Sequence, residues 1–142
     1  MPLKDYTTKK EPEETIQEIS KLLKNFGVKG VLSEYDDAGN IISMSFKINI
    51  DNQDMGFKLP TDWKPVLKTF EENCQMPRRL CTEDQARRTA WRLIYHWCDS
   101  QLALVRVNMV KIQTIFLPYI VTNDGKTLSE HFDINSQLLL NN

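Results

Sequence analysis

"IISMSFKINI", residues 41 to 50, alternates Ile42, Met44, Phe46, Ile48 and Ile50 with Ser43, Ser45, Lys47 and Asn49. A period of two sends the two sets to opposite faces of an extended chain, so the stretch reads as a half-buried antiparallel strand. On its N-terminal side "VKGVLSEY" (28–35) is a partner strand, joined through the turn "DDAGN" (36–40). On its C-terminal side "DNQD" (51–54) turns into "MGFKLP" (55–60), where Met55, Phe57 and Leu59 alternate again. The expectation is a three-stranded antiparallel meander, apolar on one face and rich in Ser, Lys and Asn on the other.

The period changes on both sides of this meander. Upstream, "EPEETIQEISKLLKNFG" (11–27) repeats Ile16, Ile19, Leu22, Leu23 and Phe26 at three- and four-residue spacing. That spacing makes an amphipathic helix, with Pro12 in the first turn and Gly27 at the C-terminal cap. Residues 1–11, up to Pro12, are mostly polar and read as a loose terminus. Downstream, "TDWKPVLKTFEENCQ" (61–75) is a short helix, capped by Thr61 or Asp62 and turning Trp63, Val66, Leu67 and Phe70 inward. After the connection "MPRRLC", Thr82 and Gln85 form a capping-box pattern ahead of the longest periodic segment, which Pro118 should end near Leu117.

The fold class is therefore α+β: an N-terminal helix, a three-stranded antiparallel β-meander, a short helix and a long C-terminal amphipathic helix. Residues 12–120 form the single domain, and 121–142 are a C-terminal tail expected to be partly ordered, with a turn at Asn123-Asp124-Gly125. A length of 142 residues suits one core. The net charge of -1 excludes a broadly basic nucleic-acid binder of the histone kind. No apolar run approaches the ~18–20 residues of a membrane span, and the N-terminus has no apolar signal-peptide core, which points to an intracellular address. Cys74, Cys81 and Cys98 show neither CxxC nor Cys/His ligand spacing, so reduced thiols are expected rather than disulfides or a metal site.

Charge is nevertheless unevenly placed. Residues 28–73 carry five Lys against eight acids, whereas residues 76–106 carry six Arg, every arginine of the chain, against three acids. At 100° per residue the long helix puts Trp91, Ile94, Cys98, Leu102, Val105, Met109, Ile112 and Phe116 on one side. Arg88, Arg92, His96, Asp99 and Arg106 lie opposite. So broad an apolar stripe belongs to a central helix, sandwiched between the sheet and another element or shared with a second subunit. Unbroken, ~34 residues would run about 50 Å, so the helix breaks near Asn108 or protrudes into an oligomer.

Three readings of the arginine flank stay open. It is a solvated side with internal pairs such as Asp84–Arg88 four residues apart; or Arg78, Arg79, Arg88 and Arg92 hold an anion through their planar forks; or the flank is a protein interface, where Arg and Trp are favoured anchors. Arg87, Gln101 and Asn108 sit on or beside the apolar side and require partners or mark a subunit seam. Trp91 and Trp97 read mostly as core. Catalysis finds little support. His96 and His131 have no partner at metal-ligand spacing, no nucleophile elbow, P-loop or dinucleotide motif occurs, and Asp36–Asp37 belong to a hairpin turn. Residues two apart on a helix point in different directions, which speaks against a His96–Cys98 dyad.

"VLSEYDDAGNIISMSFKI", "GFKLP", "QARRTAWRLIYHWCDSQLALV" and "FLPYIV", in that order, carry E-Y-D, S-F-x-I, F-x-L-P, A-W-R-x-x-x-x-W, Q-L-A-L and F-L-P-Y. This string of motifs resembles a family of small proteins common in bacteriophage and prophage genomes, over residues 13–130. Trp91, Arg92, Trp97 and Gln101 match the pattern, while His96 and Cys98 stand where the family has other residues. The resemblance implies expression in the cytoplasm of the host bacterium and a role in replication, recombination or evasion of host defence. The resulting expectation is a non-catalytic phage accessory protein, without cofactor or metal. It is expected to form a homo-oligomer and to bind an anionic partner (nucleic acid, a nucleotide or an acidic host protein) through Arg78, Arg79, Arg88 and Arg92. The alternatives are a protein-binding inhibitor of a host defence system and a structural oligomer subunit.

Overall fold

The computed structural model describes residues 2–73 and 75–135. In chain order it contains α1 (Pro12–Lys24), β1 (Val28–Tyr35), β2 (Ile41–Ile50), β3 (Gln53–Lys58), α2 (Lys64–Glu72), α3 (Glu83–Arg106), α4 (Ile112–Ile115) and α5 (Leu128–Asn135). Single 3-10 turns occupy Arg78–Leu80 and Leu117–Tyr119. The architecture is α+β, with the expected three-stranded antiparallel meander in the order β1-β2-β3.

Turn chemistry fixes the meander. Asp36 Oδ1 accepts the backbone N–H groups of Ala38 and Asn40 at 3.0 and 2.9 Å, and Gly39 takes φ 84°. Asp51 and Asn52 both adopt positive φ, 52° and 65°, which makes a two-residue primed turn whose twist matches the strands it joins. Register then aligns Val31 with Phe46 and Phe46 with Phe57. Phe46 and Phe57 stack at 5.3 Å, and Phe116 meets Phe46 edge-on at 4.9 Å. This trio, all but dry, ties the sheet to the segment after α3.

The helices pack on the apolar face of the sheet around α3. Trp91, Cys98 and Leu102 of α3 join Ile16, Ile19 and Leu23 of α1 and the strand residues Met44, Phe46, Ile48 and Phe57 in the main core. Ala86 and Ala90, near the start of α3, instead meet Val66 and Phe70 of α2 in a second cluster. The broad stripe of α3 is thus used within the chain, shared between α1, α2 and the sheet.

Several expectations are corrected. The long helix does not reach Leu117, because Asn108 takes φ 63° and the backbone closes a double cap, Asn108 N–H to Val105 O and Met109 N–H to Leu104 O, each 3.0 Å. Asparagine tolerates the left-handed conformation this cap needs, so the helix ends at Arg106. The N-terminal segment is not loose. Leu3 and Tyr6 pack on the second cluster, Thr89 Oγ1 donates to Asp5 O at 3.1 Å, and Gln85 Nε2 donates to the carbonyls of Tyr6 and Thr8 at 2.8 and 2.9 Å. Gln85 therefore completes only half a capping box. Its backbone N–H binds Thr82 Oγ1 at 3.2 Å while its side chain serves the terminus. In the tail, Val121 N–H donates to Gly56 O at 2.8 Å, and Ile120 bridges Phe57, on the edge of β3 away from β2. Residues 136–142 lie outside the described residues.

Candidate functional site

Residues 77–92 build the basic region. Pro77 starts the 3-10 turn that carries Arg78 and Arg79 into solvent, and Thr82 caps α3, which carries Arg87, Arg88 and Arg92. The structure separates these cations into distinct surroundings.

Arg92 faces α1. Its Nη1 lies 2.5 Å from Glu18 Oε2 and 3.4 Å from Thr15 Oγ1, its guanidinium sits 4.4 Å over the Tyr95 ring, and its side chain is 12% exposed. Glu18 is also held by Lys10, and hydrogen bonds from Lys10 and Arg92 lower its pKa below the ordinary 4.5. Arg88 is the next contact along the same seam: Nε donates to Glu11 Oε1 at 3.0 Å and Nη1 to Gln85 Oε1 at 2.9 Å. The part of the flank that carries Arg88 and Arg92, read from periodicity as outward, faces α1, where Glu11 at its N-cap and Glu18 meet the two arginines, while Asp99 and Arg106 stay exposed. A helical wheel separates polar from apolar sides but carries no information on which neighbouring helix supplies carboxylates. The Asp84–Arg88 pair is likewise replaced: Asp84 sits 3.5 Å from Arg87.

Arg87 stacks 4.6 Å over Trp63 and reaches Glu83 at 3.5 Å, which binds α2 to α3. Trp91 is buried, and Trp97 packs edge-on to Phe116 and Tyr119 at 5.6 and 5.8 Å. Gln101 is half-buried, whereas Asn108 is exposed and acts as the helix stop.

A cleft of ≈ 490 Å³ lies between the N-terminal segment, the 3-10 turn and the first turns of α3. Lys9, Arg79 and Arg88 bring three positive charges to it, and Glu11 one negative charge, with Thr7, Thr8 and Gln85 as neutral polar walls. Of the arginines named from sequence, Arg79 and Arg88 meet here. Arg78 instead lines a separate depression with Glu71 and Cys81, and Arg92 belongs to the α1–α3 seam. Lys9 was missed, because the cleft exists only once Gln85 has drawn the terminal segment against α3.

Among the described residues no group of three His, Cys, Asp or Glu is placed to hold a metal ion. Burial pushes the Cys98 thiol up to about 12, the wrong direction for a nucleophile. His131 Nε2 lies near Asp124 at 3.1 Å and Thr122 at 3.0 Å in the turn before α5, where hydrogen bonds from Thr122 first, then the Lys126 N–H, hold the Asp124 carboxyl well below the carboxylate range. Among the described residues no helix is long and apolar enough to cross a membrane. No family model, no curated protein and no solved structure matches the chain.

Proposed function

We propose that this chain is a non-catalytic accessory protein of phage type that binds an anionic partner, nucleic acid or a nucleotide, in the cleft formed by Lys9, Arg79 and Arg88. The carrying observation is the convergence of three cations against the single carboxylate Glu11. Phosphate oxygens suit this set. Arg88 Nε, engaged by Glu11 at 3.0 Å, is the donor a phosphate would take over, and the side chain of Glu11 is more than half exposed and free to swing aside. Exposed Arg79 and Lys9 add charge from either side. The motif string E-Y-D, F-x-L-P, A-W-R-x-x-x-x-W, Q-L-A-L and F-L-P-Y supports the phage context and the cytoplasm of an infected bacterium as the setting. Arg78 extends the basic surface for a longer ligand, whereas Arg92 is assigned to holding α1.

Titration of labelled single- and double-stranded DNA at 50 and 200 mM salt tests this, with a mononucleotide as competitor. Neutralising about three phosphates gives a log–log salt slope of about -2.1 for single strands and about -2.7 for duplex, a loss of roughly 20–40-fold across that fourfold change. Lys9→Gln with Arg79→Gln removes two of the three charges and flattens the slope. No binding of DNA or nucleotide at 50 mM salt overturns the proposal. Binding unchanged by the double substitution moves it off this cleft.

A further inference from the structure

We propose that β1 is a self-pairing edge: two copies of the chain join antiparallel along it, about an axis through Leu32, into one six-stranded sheet. The two edges of the sheet differ. The β3 edge is bonded at Gly56 and Phe57, since Val121 N–H bonds Gly56 O at 2.8 Å and Ile120 bridges Phe57. The β1 edge has no strand beyond it among the described residues. A strand edge left open presents unpaired N–H and C=O groups, and proteins usually blunt it with Pro, charge or a bulge. β1 carries such protection only at its ends. An irregularity lies between Val28 and Gly30, around Lys29, and another between Glu34 and Tyr35. Between them Gly30–Glu34 is regular and includes Val31 at 41% and Leu32 at 61% exposure.

Register and partner both follow from these five residues. Two antiparallel copies related by a two-fold axis normal to the sheet place like faces on one side, so a residue pairs with one of its own parity. Pairing about Leu32 is the register that matches all of Gly30–Glu34 with itself. It sets Leu32 against Leu32, Val31 against Ser33, and Gly30 against Glu34 of the second copy. Within the chain Gly30 lies opposite Lys47, and Glu34 opposite Ser43, whose Oγ donates to Glu34 Oε1 at 3.1 Å. Each row across the joint therefore reads Lys47, Gly30, then the second copy's Glu34. Two strand spacings separate the charged residues, roughly 9.6 Å, which extended Lys and Glu side chains span together.

Gly30 is what leaves that path open. A Cβ built there meets nothing within 4 Å and its φ is ordinary, so neither packing nor backbone strain inside one copy asks for glycine. Lys47 is exposed and has no ion pair among the described residues, and Glu34 is exposed with a single hydroxyl partner. The self-pair supplies each with its opposite charge, twice by symmetry. Because segment 120–121 already sits on the β3 edge at Gly56 and Phe57 and interrupts it, the assembly closes at two copies rather than growing into a fibre.

Sedimentation velocity of the full chain over a concentration series measures the outcome, with thermal melts by circular dichroism as the folding control. The wild type is expected to approach twice 16.6 kDa. Glu34→Lys and Lys47→Glu each turn both cross-joint attractions into repulsions and raise the dimer dissociation constant about tenfold, and the two together restore it. Leu32→Lys, at an exposed position outside the core, abolishes the dimer with the melt unchanged. A monomer at every concentration overturns the proposal. So does a dimer indifferent to both charge reversals, or one that the double reversal fails to restore.

Discussion

Arg92 and Glu18 meet at 2.5 Å between α1 and α3, and Lys10 grips the same carboxylate. One acid thus answers two cations. The side chains of Arg92 and Glu18 are 12% and 29% exposed, so the pair is partly desolvated and neither group can be orphaned without cost. Arg92→Met and Glu18→Gln are each expected to destabilise the fold by about 1.5–3 kcal/mol, and the double variant by less than the two together. Urea unfolding measures all three; strict additivity would show the contact to be energetically idle.

The same pair predicts an acid dependence. Hydrogen bonds from Lys10 and Arg92 hold Glu18 below its ordinary 4.5 in the folded state. A depressed folded pKa contributes stability that is present above the unfolded value and lost as pH falls through the folded one. The gap in stability between wild type and Glu18→Gln should therefore be full at pH 6–7, begin to shrink near 4.5, and close further below. A gap that holds constant from pH 6 to 3 contradicts the assignment.

The meander was legible because alternation over 44–50 and the turn residues around the strand are local signals; at the start of β2 packing overrides the alternation, burying Ile41 and Ser43 and leaving Ile42 47% exposed. The bounds of β1 and β2 match the sequence reading residue for residue, and β3 begins two residues earlier because Asp51-Asn52 closes a two-residue turn. The end of α3 was visible only as a conflict between length and compactness, resolved by Asn108. The arginine flank was not legible at all. Periodicity finds the polar side of a helix, but whether that side meets water or the carboxylates of α1 depends on contacts more than 70 residues apart in sequence. The cleft was hidden for the same reason, since Lys9 belongs to a polar terminus that only long-range hydrogen bonds from Gln85 and Thr89 hold in place.

Those bonds make Gln85 a further test. Its amide donates to two backbone carbonyls, and its Oε1 accepts from Arg88 at 2.9 Å. Gln85→Leu keeps the volume and removes all three, so segment 2–10 should detach while the core stays folded. Limited trypsin digestion is expected to cut at Lys9 and Lys10 several-fold faster, with the main melting transition lowered by only about 1–2 kcal/mol equivalent. Unchanged cleavage kinetics would mean that Leu3 and Tyr6 anchor the segment without Gln85.

Thiol chemistry separates core from surface. Cys98 has no exposed area, and burial raises its thiol to about 12, so at pH 8 it is held as the unreactive thiol. Half-buried Cys81 is the more accessible. Iodoacetamide followed by peptide mass mapping should modify Cys81 in the native protein and Cys98 only after denaturant is added. Equal native rates would place Cys98 outside the core and dissolve the contact between α1, α3 and the sheet.

The stop at Asn108 decides how long α3 is, and with it where Phe116 can go. From Glu83 to Arg106 the helix rises ~36 Å; one unbroken turn more would carry the following chain past the sheet instead of back onto Phe46 and Phe57. At φ 63° glycine is at ease, asparagine tolerable and a β-branched residue strained. Asn108→Gly is expected to leave stability unchanged or raise it by a few tenths of a kcal/mol, and Asn108→Val to lower it by about 1–2 kcal/mol. Asn108 is exposed, so packing contributes little to either number. Guanidinium unfolding of the two variants isolates the backbone: equal stabilities would show that the chain turns here for reasons other than the left-handed cap, and that Phe116 is recruited by its own aromatic contacts alone.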